Sequence, residues 1–209
     1  MLQRALDHLA GADTHMGQAI REIGPPPPRH RPASFATLMD VIIAQQVSTA
    51  SARAISGRLE ARLKSADGSR VTPEGFVALT DGDLRAVGFS RQKTLYGRDL
   101  AAHFIEGRLS LARLRRLEDE AAIEALSAVK GIGRWSAEVF LLFALRRPDV
   151  MPAQDLALLV AAQRMKGLRA RPEPKKLLKL AEPWRPYRSY AARMLWHYYR
   201  NGTPAGQPL

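Results

Sequence analysis

The apolar residues of this chain recur with the spacing of an α-helix along almost its whole length, and we find no segment that alternates as a half-buried strand does. Helix caps and breakers divide the pattern: Ser34, Thr80 and Ser90 stand where helices begin, and Gly88 and Gly107 follow helices. The sequence therefore predicts an all-α fold. The predicted helices lie near residues 2–10, 15–23, 35–43, 49–64, 80–88, 91–106, 119–128, 134–145, 155–165, 174–182 and 187–200.

The charge and the missing cysteines limit the functions open to the chain. Lys and Arg number 32 against 20 Asp and Glu, a formal net charge of +12, which favours a polyanionic partner such as nucleic acid. Ribosomal, tRNA-binding and membrane-surface proteins share this property. The chain has no cysteine, which excludes disulfides, thiolate zinc sites and iron–sulfur clusters. The histidines are scattered, the first residues do not have the pattern of a signal peptide, and no apolar run reaches about 18 residues. We therefore expect a cytoplasmic protein without a catalytic metal.

The most informative segment is residues 126–137, with the sequence LSAVKGIGRWSA. Two glycines flank Ile132 between two predicted helices, which indicates a tight hairpin in which Ile132 fills the space between the helices and the glycine backbone can approach another molecule closely. The second helix starts there, so its unpaired N–H groups and positive dipole end form a site that suits a DNA phosphate. Lys130 and Arg134 flank that site. An ordinary helical hairpin is the alternative.

Four blocks of sequence, taken together, resemble the helix-hairpin-helix DNA glycosylases, in particular the 3-methyladenine DNA glycosylase II branch. The blocks are residues 42–48, 129–137, 149–155 and 186–191, the last leading to Trp196. The resemblance implies two helical lobes flanking a DNA-binding cleft, without a β domain. On this basis we expect one unit over 1–209, in which 1–33 pack with the C-terminal lobe, 34–115 form the first lobe, and 116–209 carry the hairpin and the catalytic helices.

The resemblance assigns the catalytic carboxylate to Asp155. Asp155 precedes the apolar run 156–160 and can cap a helix there, and helix N–H groups favour the charged form of a carboxylate. Such a carboxylate can stabilise the oxocarbenium-like sugar left when a base departs. Read without the resemblance, Asp155 is only a cap. Glu138 is the competing carboxylate, which we interpret as a supporting or solvated residue.

Lyase-type relatives carry a lysine two residues after the second hairpin glycine, where this chain has Trp135. Because Schiff-base chemistry needs that amine, the resemblance implies a monofunctional enzyme that removes the base and leaves the strand intact. Trp135 and Trp196 match aromatic positions around the extruded base, where a positively charged alkylated purine can make cation–π contacts. Val139 and Leu156 stand where some relatives have tyrosines.

The predicted partner is duplex DNA containing damaged bases, bound by a monomer. The loop with Gln45 and Gln46 matches the one that fills the gap of a flipped nucleotide, with Gln46 as the wedge. The resemblance allows Na+ or K+ on the hairpin carbonyls and implies no other cofactor. For Arg91, Lys93, Arg188, Lys175 and Lys176, a solvated surface is favoured over phosphate contacts. The remaining predicted DNA-binding residues are Val129, Lys130, Gly131, Ile132, Gly133, Arg134 and Ser136.

Two other functions stay open at this point. A glycosylase with the same fold could act on deaminated or oxidised bases instead of alkylated purines. A helix-hairpin-helix module could also bind distorted duplex without catalysis. Asp155 separates the last alternative from an enzyme, because a pure binding module has no need for a carboxylate that repels phosphate.

Overall fold

The computed structural model describes residues 1–63 and 71–202, and every regular element within these ranges is a helix. The prediction of an all-α fold is confirmed. The α-helices in the described ranges are α1 (Leu2–Ala12), α2 (Thr14–Ile23), α3 (Phe35–Ile43), α4 (Thr49–Leu63), α5 (Pro73–Ala78), α6 (Asp81–Val87), α7 (Arg91–Ile105), α8 (Leu111–Arg116), α9 (Asp119–Ser127), α10 (Arg134–Phe143), α11 (Leu156–Lys166), α12 (Pro174–Leu180) and α13 (Arg188–Asn201); Glu182–Trp184 form a 3₁₀ turn.

The predicted caps are found in the structure. The Ser34 hydroxyl accepts the Thr37 N–H at 3.1 Å, and the Ser90 hydroxyl accepts the Lys93 N–H at 3.2 Å. Thr80 and Asp83 form a reciprocal capping box at the start of α6, which ends at Gly88 in the left-handed region. The short helices α5 and α8 were not predicted, because six residues are too few to display a helical period.

The chain divides into two compact units. The first combines Met1–His30 with the chain from Arg146 onward, and the second is the continuous segment Arg31–Leu145. This division differs from the predicted boundary between residues 115 and 116, which placed the hairpin with the C-terminal helices. The hairpin helices belong to the second unit because α9 packs on α8 and α10, and the Gln45 amide bonds to the hairpin backbone at Gly131.

In the first unit, Asp13 links the two ends of the chain. Its carboxylate caps α2 by accepting the N–H groups of His15 and Met16, and it also accepts hydrogen bonds from Lys166 and, at 2.8 Å, from the buried Trp184 indole. Burial alone would raise the pKa of Asp13, but the hydrogen bonds from Lys166, Met16 and Trp184 hold that pKa below its usual value. The N-terminal helices are therefore fixed to helices made from the other end of the chain.

In the second unit, α3 and α7 pack together over an aromatic core. Gly97 of α7 admits the Phe76 ring so closely that a Cβ on Gly97 would lie 2.5 Å from its Cζ atom. Lys93 is also buried in this unit, and its ammonium donates to the Ile43 carbonyl at 2.7 Å, where α3 ends. The expectation that Lys93 lies on a solvated surface is therefore wrong; burial lowers its pKa.

No helix within the described ranges combines the length and the apolar composition that a bilayer span requires.

Candidate catalytic carboxylate and nucleic-acid interface

The predicted hairpin connects α9 and α10 in the second unit. Ile132 is buried, as its predicted role between the helices requires, and its N–H donates to the Val129 carbonyl at 3.0 Å. The Val129 side chain is buried as well, so only its backbone is available to a ligand. Gly131 has φ +86°, and a Cβ there would lie 2.3 Å from Cδ2 of Tyr96. Gly131 is therefore needed for packing inside the protein.

The sequence predicted that the glycine backbone of the hairpin lies open to another molecule, and in the structure this open surface is at Gly133. An added Cβ on Gly133 would meet no atom within 4 Å, and the residue is exposed. Gly133 is the N-cap of α10 and has no side chain to occupy the first N–H groups of that helix. Ser136 lies in this first turn with its side chain buried, whereas Lys130 is exposed beside it. The α10 N-terminus thus offers backbone donors on an accessible surface.

Arg134 forms ion pairs that the sequence did not reveal. Its guanidinium donates two hydrogen bonds to Glu120 and one, at 3.0 Å, to Oε1 of Glu138. The hydrogen bond from Arg134 lowers the pKa of Glu120, and the two carboxylates raise the pKa of Arg134 beyond its usual range. The phosphate contact predicted for Arg134 would have to compete with both carboxylates.

Glu138 is buried, so the interpretation of this residue as solvated is wrong. Only 5% of its surface is exposed, and Oε2 has no hydrogen-bonding partner among the residues the structure describes. Burial raises the pKa of Glu138 to about 7, although the neighbouring Arg134 acts in the opposite direction. Glu138 can therefore carry a proton near neutral pH.

The loop between α3 and α4 carries the predicted wedge residues. Gln45 donates from Nε2 to the Gly131 carbonyl at 2.7 Å, so its amide supports the hairpin. Gln46 is exposed and has φ +55°, a left-handed conformation that costs free energy in a residue with a side chain. Ser48 then starts α4 by accepting the Ser51 N–H at 3.1 Å. The loop thus presents Gln46 while Gln45 ties it to the hairpin.

Asp155 lies in the first unit as the N-cap of α11, the local role that its sequence position predicted. Its Oδ1 accepts the Leu158 N–H at 3.0 Å and the Trp196 indole N–H at 3.2 Å. The residue is partly exposed. A carboxylate with two N–H donors on one oxygen is fixed in orientation while remaining accessible.

Two residues of α13 fix the loop that leads to Asp155. Arg188 forms a bidentate ion pair with Asp149, at 2.9 Å from Nε to Oδ1 and 3.0 Å from Nη2 to Oδ2. The buried Ser189 hydroxyl accepts the Val150 N–H at 2.9 Å and donates to the Val150 carbonyl at 3.2 Å. Arg188 is therefore an internal clamp, and its placement on a solvated surface was wrong. Asp149 lies in the sequence block 149–155 and Arg188 in the block 186–191, and this shared membership was the sequence signal that could have indicated their contact.

The predicted base-pocket residues are divided between the units. Leu156 and Trp196 accompany Asp155 in the first unit, Leu156 being 58% exposed and adjacent to the carboxylate. Trp135 and Val139 lie on α10 in the second unit, where Trp135 is 42% exposed and Val139 is half-buried. Of these four residues, Trp196 donates a hydrogen bond to Asp155 from its indole N–H.

Comparison with known proteins identifies relatives over most of the chain. Residues 39–186 match the model of the HhH-GPD superfamily of base excision DNA repair proteins. DNA-3-methyladenine glycosylase 1 of Schizosaccharomyces pombe is 32% identical over 199 residues, covering 93% of this chain and 86% of that protein.

Solved structures agree with the sequence match. The S. pombe 3-methyladenine DNA glycosylase in complex with abasic DNA superposes with a TM-score of 0.83 at 32% identity, covering 94% of this chain and 97% of the other. The DNA-3-methyladenine glycosidase of Bacillus halodurans gives a TM-score of 0.81 at 33% identity over 94% and 89% of the two chains.

Proposed function

Because the chain belongs to the HhH-GPD superfamily of base excision DNA repair proteins, we propose that it is a monofunctional DNA N-glycosylase that removes alkylated purines and leaves an abasic site. The observation that carries this proposal is the placement of Asp155, an accessible carboxylate fixed by the α11 N-terminus and by Trp196. Relatives named as 3-methyladenine DNA glycosylases support the choice of substrate, and the abasic-DNA complex of one of them supports duplex DNA as the partner.

The reaction breaks the bond between C1′ of the sugar and the nitrogen of the extruded base. An alkylated purine such as 3-methyladenine or 7-methylguanine carries positive charge in the nucleoside, so it departs as a neutral base without a proton from a general acid. The ionised Asp155 stabilises the oxocarbenium-like sugar, and water then adds to C1′ and gives up a proton. The exposed ring of Trp135 is suited to a cationic base through cation–π attraction.

Base release from methylated duplex by wild type and Asp155→Asn tests the proposal. We expect the substitution to lower the single-turnover rate by about 100-fold or more, because preorganised charge stabilisation at the transition state is lost. Asn caps helices about as well as Asp, so the free energy of unfolding should change by less than about 0.5 kcal/mol.

The control is Asp7→Asn, which removes one exposed carboxylate from α1 of the same unit. It should keep the wild-type rate. A wild-type protein that releases no methylated base refutes the choice of substrate, and an Asp155→Asn variant as fast as wild type refutes the mechanism.

The monofunctional character rests on Trp135, which occupies the place of the lyase lysine. Reduction with borohydride during turnover should trap no protein–DNA adduct, because no amine stands at that place to form the Schiff base. A trapped adduct would contradict a purely hydrolytic reaction.

The hairpin carbonyls are suited to a monovalent cation. The carbonyls of Val129 and Gly131 each accept one hydrogen bond, from Ile132 and Gln45, and a carbonyl oxygen has two lone pairs. Na+ or K+ on these carbonyls would add positive charge beside the α10 N-terminus. Duplex binding in NaCl or KCl against tetramethylammonium chloride at equal ionic strength tests this part of the proposal.

A further inference from the structure

A second basic site adjoins the hairpin in the second unit. A cavity of about 650 Å³ lies between α7, α8 and α9 and reaches Lys130 of the hairpin. Its floor is apolar, with Leu109, Leu114 and Leu117, and its polar lining residues are Asp99, His103, Arg108, Ser110, Arg113 and Lys130. The Lys130 N–H donates to Oδ2 of Asp99 at 2.8 Å, which joins the cavity wall to the hairpin backbone.

The cavity carries more positive than negative charge. Arg108, Arg113 and Lys130 face it against the single carboxylate of Asp99. Within the described part of the chain, the Arg113 guanidinium and the Lys130 ammonium make no hydrogen bond or ion pair. Arg134, by contrast, is committed to two carboxylates. Arg113 and Lys130 are therefore available to an anion beside the hairpin, whereas Arg108 shares its charge with Glu106.

His103 orients the third cation. Its ring is buried, and Arg108 donates from Nη1 to Nε2 at 2.7 Å. A guanidinium can only donate, so Nε2 accepts and Nδ1 carries the proton, which it donates to the Asp99 carbonyl at 2.8 Å. The imidazole thus supports Nη1 of Arg108, while Glu106 accepts a hydrogen bond from Nε of Arg108 at 2.6 Å. The Arg108 guanidinium lines the cavity, and its Nη2 group is left for a ligand.

The geometry points to this cavity as a binding site for a phosphate group, supplied by the backbone of the DNA strand that contacts the hairpin. Arginine forks match phosphate oxygens, and two arginines with a lysine around one concavity can together donate several hydrogen bonds to one phosphate group. Lys130 belongs to both the cavity and the hairpin. A strand with one phosphate at the α10 N-terminus would therefore have a further phosphate close to the cavity. The DNA source rests on the proposed function, whereas the anion site itself does not.

The experiment measures equilibrium binding of the full chain to an undamaged duplex as a function of KCl concentration. Arg108→Ala and Arg113→Ala remove cavity cations, and Arg116→Ala is the matched control, because Arg116 is an exposed arginine of α8 that does not line the cavity. Each cavity variant should weaken binding about three- to tenfold and reduce the slope of log K against log salt by about 0.9. Arg116→Ala should retain the wild-type slope.

A parallel calorimetric titration with inorganic phosphate distinguishes the source of the anion. Weaker duplex binding by both cavity variants, with Arg116→Ala unaffected, supports a DNA phosphate in the cavity. Cavity variants that lose inorganic phosphate but bind duplex like wild type overturn the DNA source. Equal losses in all three variants, or no loss in any, overturn the site. Because undamaged duplex involves no chemistry, these outcomes are independent of whether the wild-type protein releases a methylated base.

Discussion

Replacing Glu138 with Gln should remove a pH dependence from the stability of the protein. The pKa of Glu138 is about 7 in the folded chain and 4.5 in the reference state. Between these values the folded protein keeps a proton that the unfolded chain has released, so stability falls as pH rises through this window. At about 1.4 kcal/mol per pH unit, the fall amounts to about 3 kcal/mol, complete above pH 7. Gln cannot ionise, and its carbonyl can still accept from Arg134.

Urea unfolding of both proteins between pH 5 and pH 8 measures this difference. The stability of Glu138→Gln relative to wild type should rise by about 2.5 kcal/mol across the range, with its midpoint near pH 6 and a plateau above pH 7. Asp7→Asn is the control, because Asp7 is an exposed carboxylate of α1 in the first unit, whereas Glu138 and the Arg134–Glu120 ion pair belong to the second. The stability curve of Asp7→Asn should run parallel to that of wild type. Parallel curves for Glu138→Gln would refute the buried, protonated carboxylate.

Two further predictions concern the site. Trp196→Phe keeps an aromatic ring but removes the indole donor to Asp155. Single-turnover base release should therefore slow about fivefold, as expected for the loss of a net hydrogen bond of about 1 kcal/mol. An unchanged rate would contradict a positioning role for Trp196. Gly131→Ala puts a Cβ 2.3 Å from Tyr96 at φ +86°, so thermal unfolding should show that the free energy of unfolding falls by at least about 1 kcal/mol. The control Gly133→Ala, where the space around the added Cβ is open, should lose less stability. Equal losses in the two alanine variants would show that the left-handed turn is not strained.

The all-α fold was predictable because its signals are local. Ser34, Thr80 and Ser90 act as caps in the structure just as residues of these types commonly do at helix starts. Asp155 is likewise the N-cap that its position before an apolar run indicated. The all-α class follows from such short-range preferences, which act within a few residues.

The contacts that complete the site could not be predicted in this way. The sequence left Glu138 as either a supporting or a solvated residue, because periodicity alone does not reveal Arg134 and Glu120 as its neighbours. Lys93 is buried because the end of α3, 50 residues earlier, provides a carbonyl acceptor. The hydrogen bond of Trp196 to Asp155 joins residues 41 positions apart. These pairings depend on tertiary packing, whereas the recognition of sequence blocks indicated only which residues matter.

The use of both chain ends in the first unit sets an order for its assembly during synthesis. The contact between Asp13 and Trp184 spans 171 positions, so α1 and α2 emerge from the ribosome long before their packing partners exist. Arg31–Leu145 is continuous and can bury its core while the remainder is translated. The apolar faces of the first two helices, with Leu9 and Met16 among their buried residues, can meanwhile pack only on each other. A nascent chain that stalls after residue 145 therefore exposes the apolar surface of α1 and α2 that the later helices would cover.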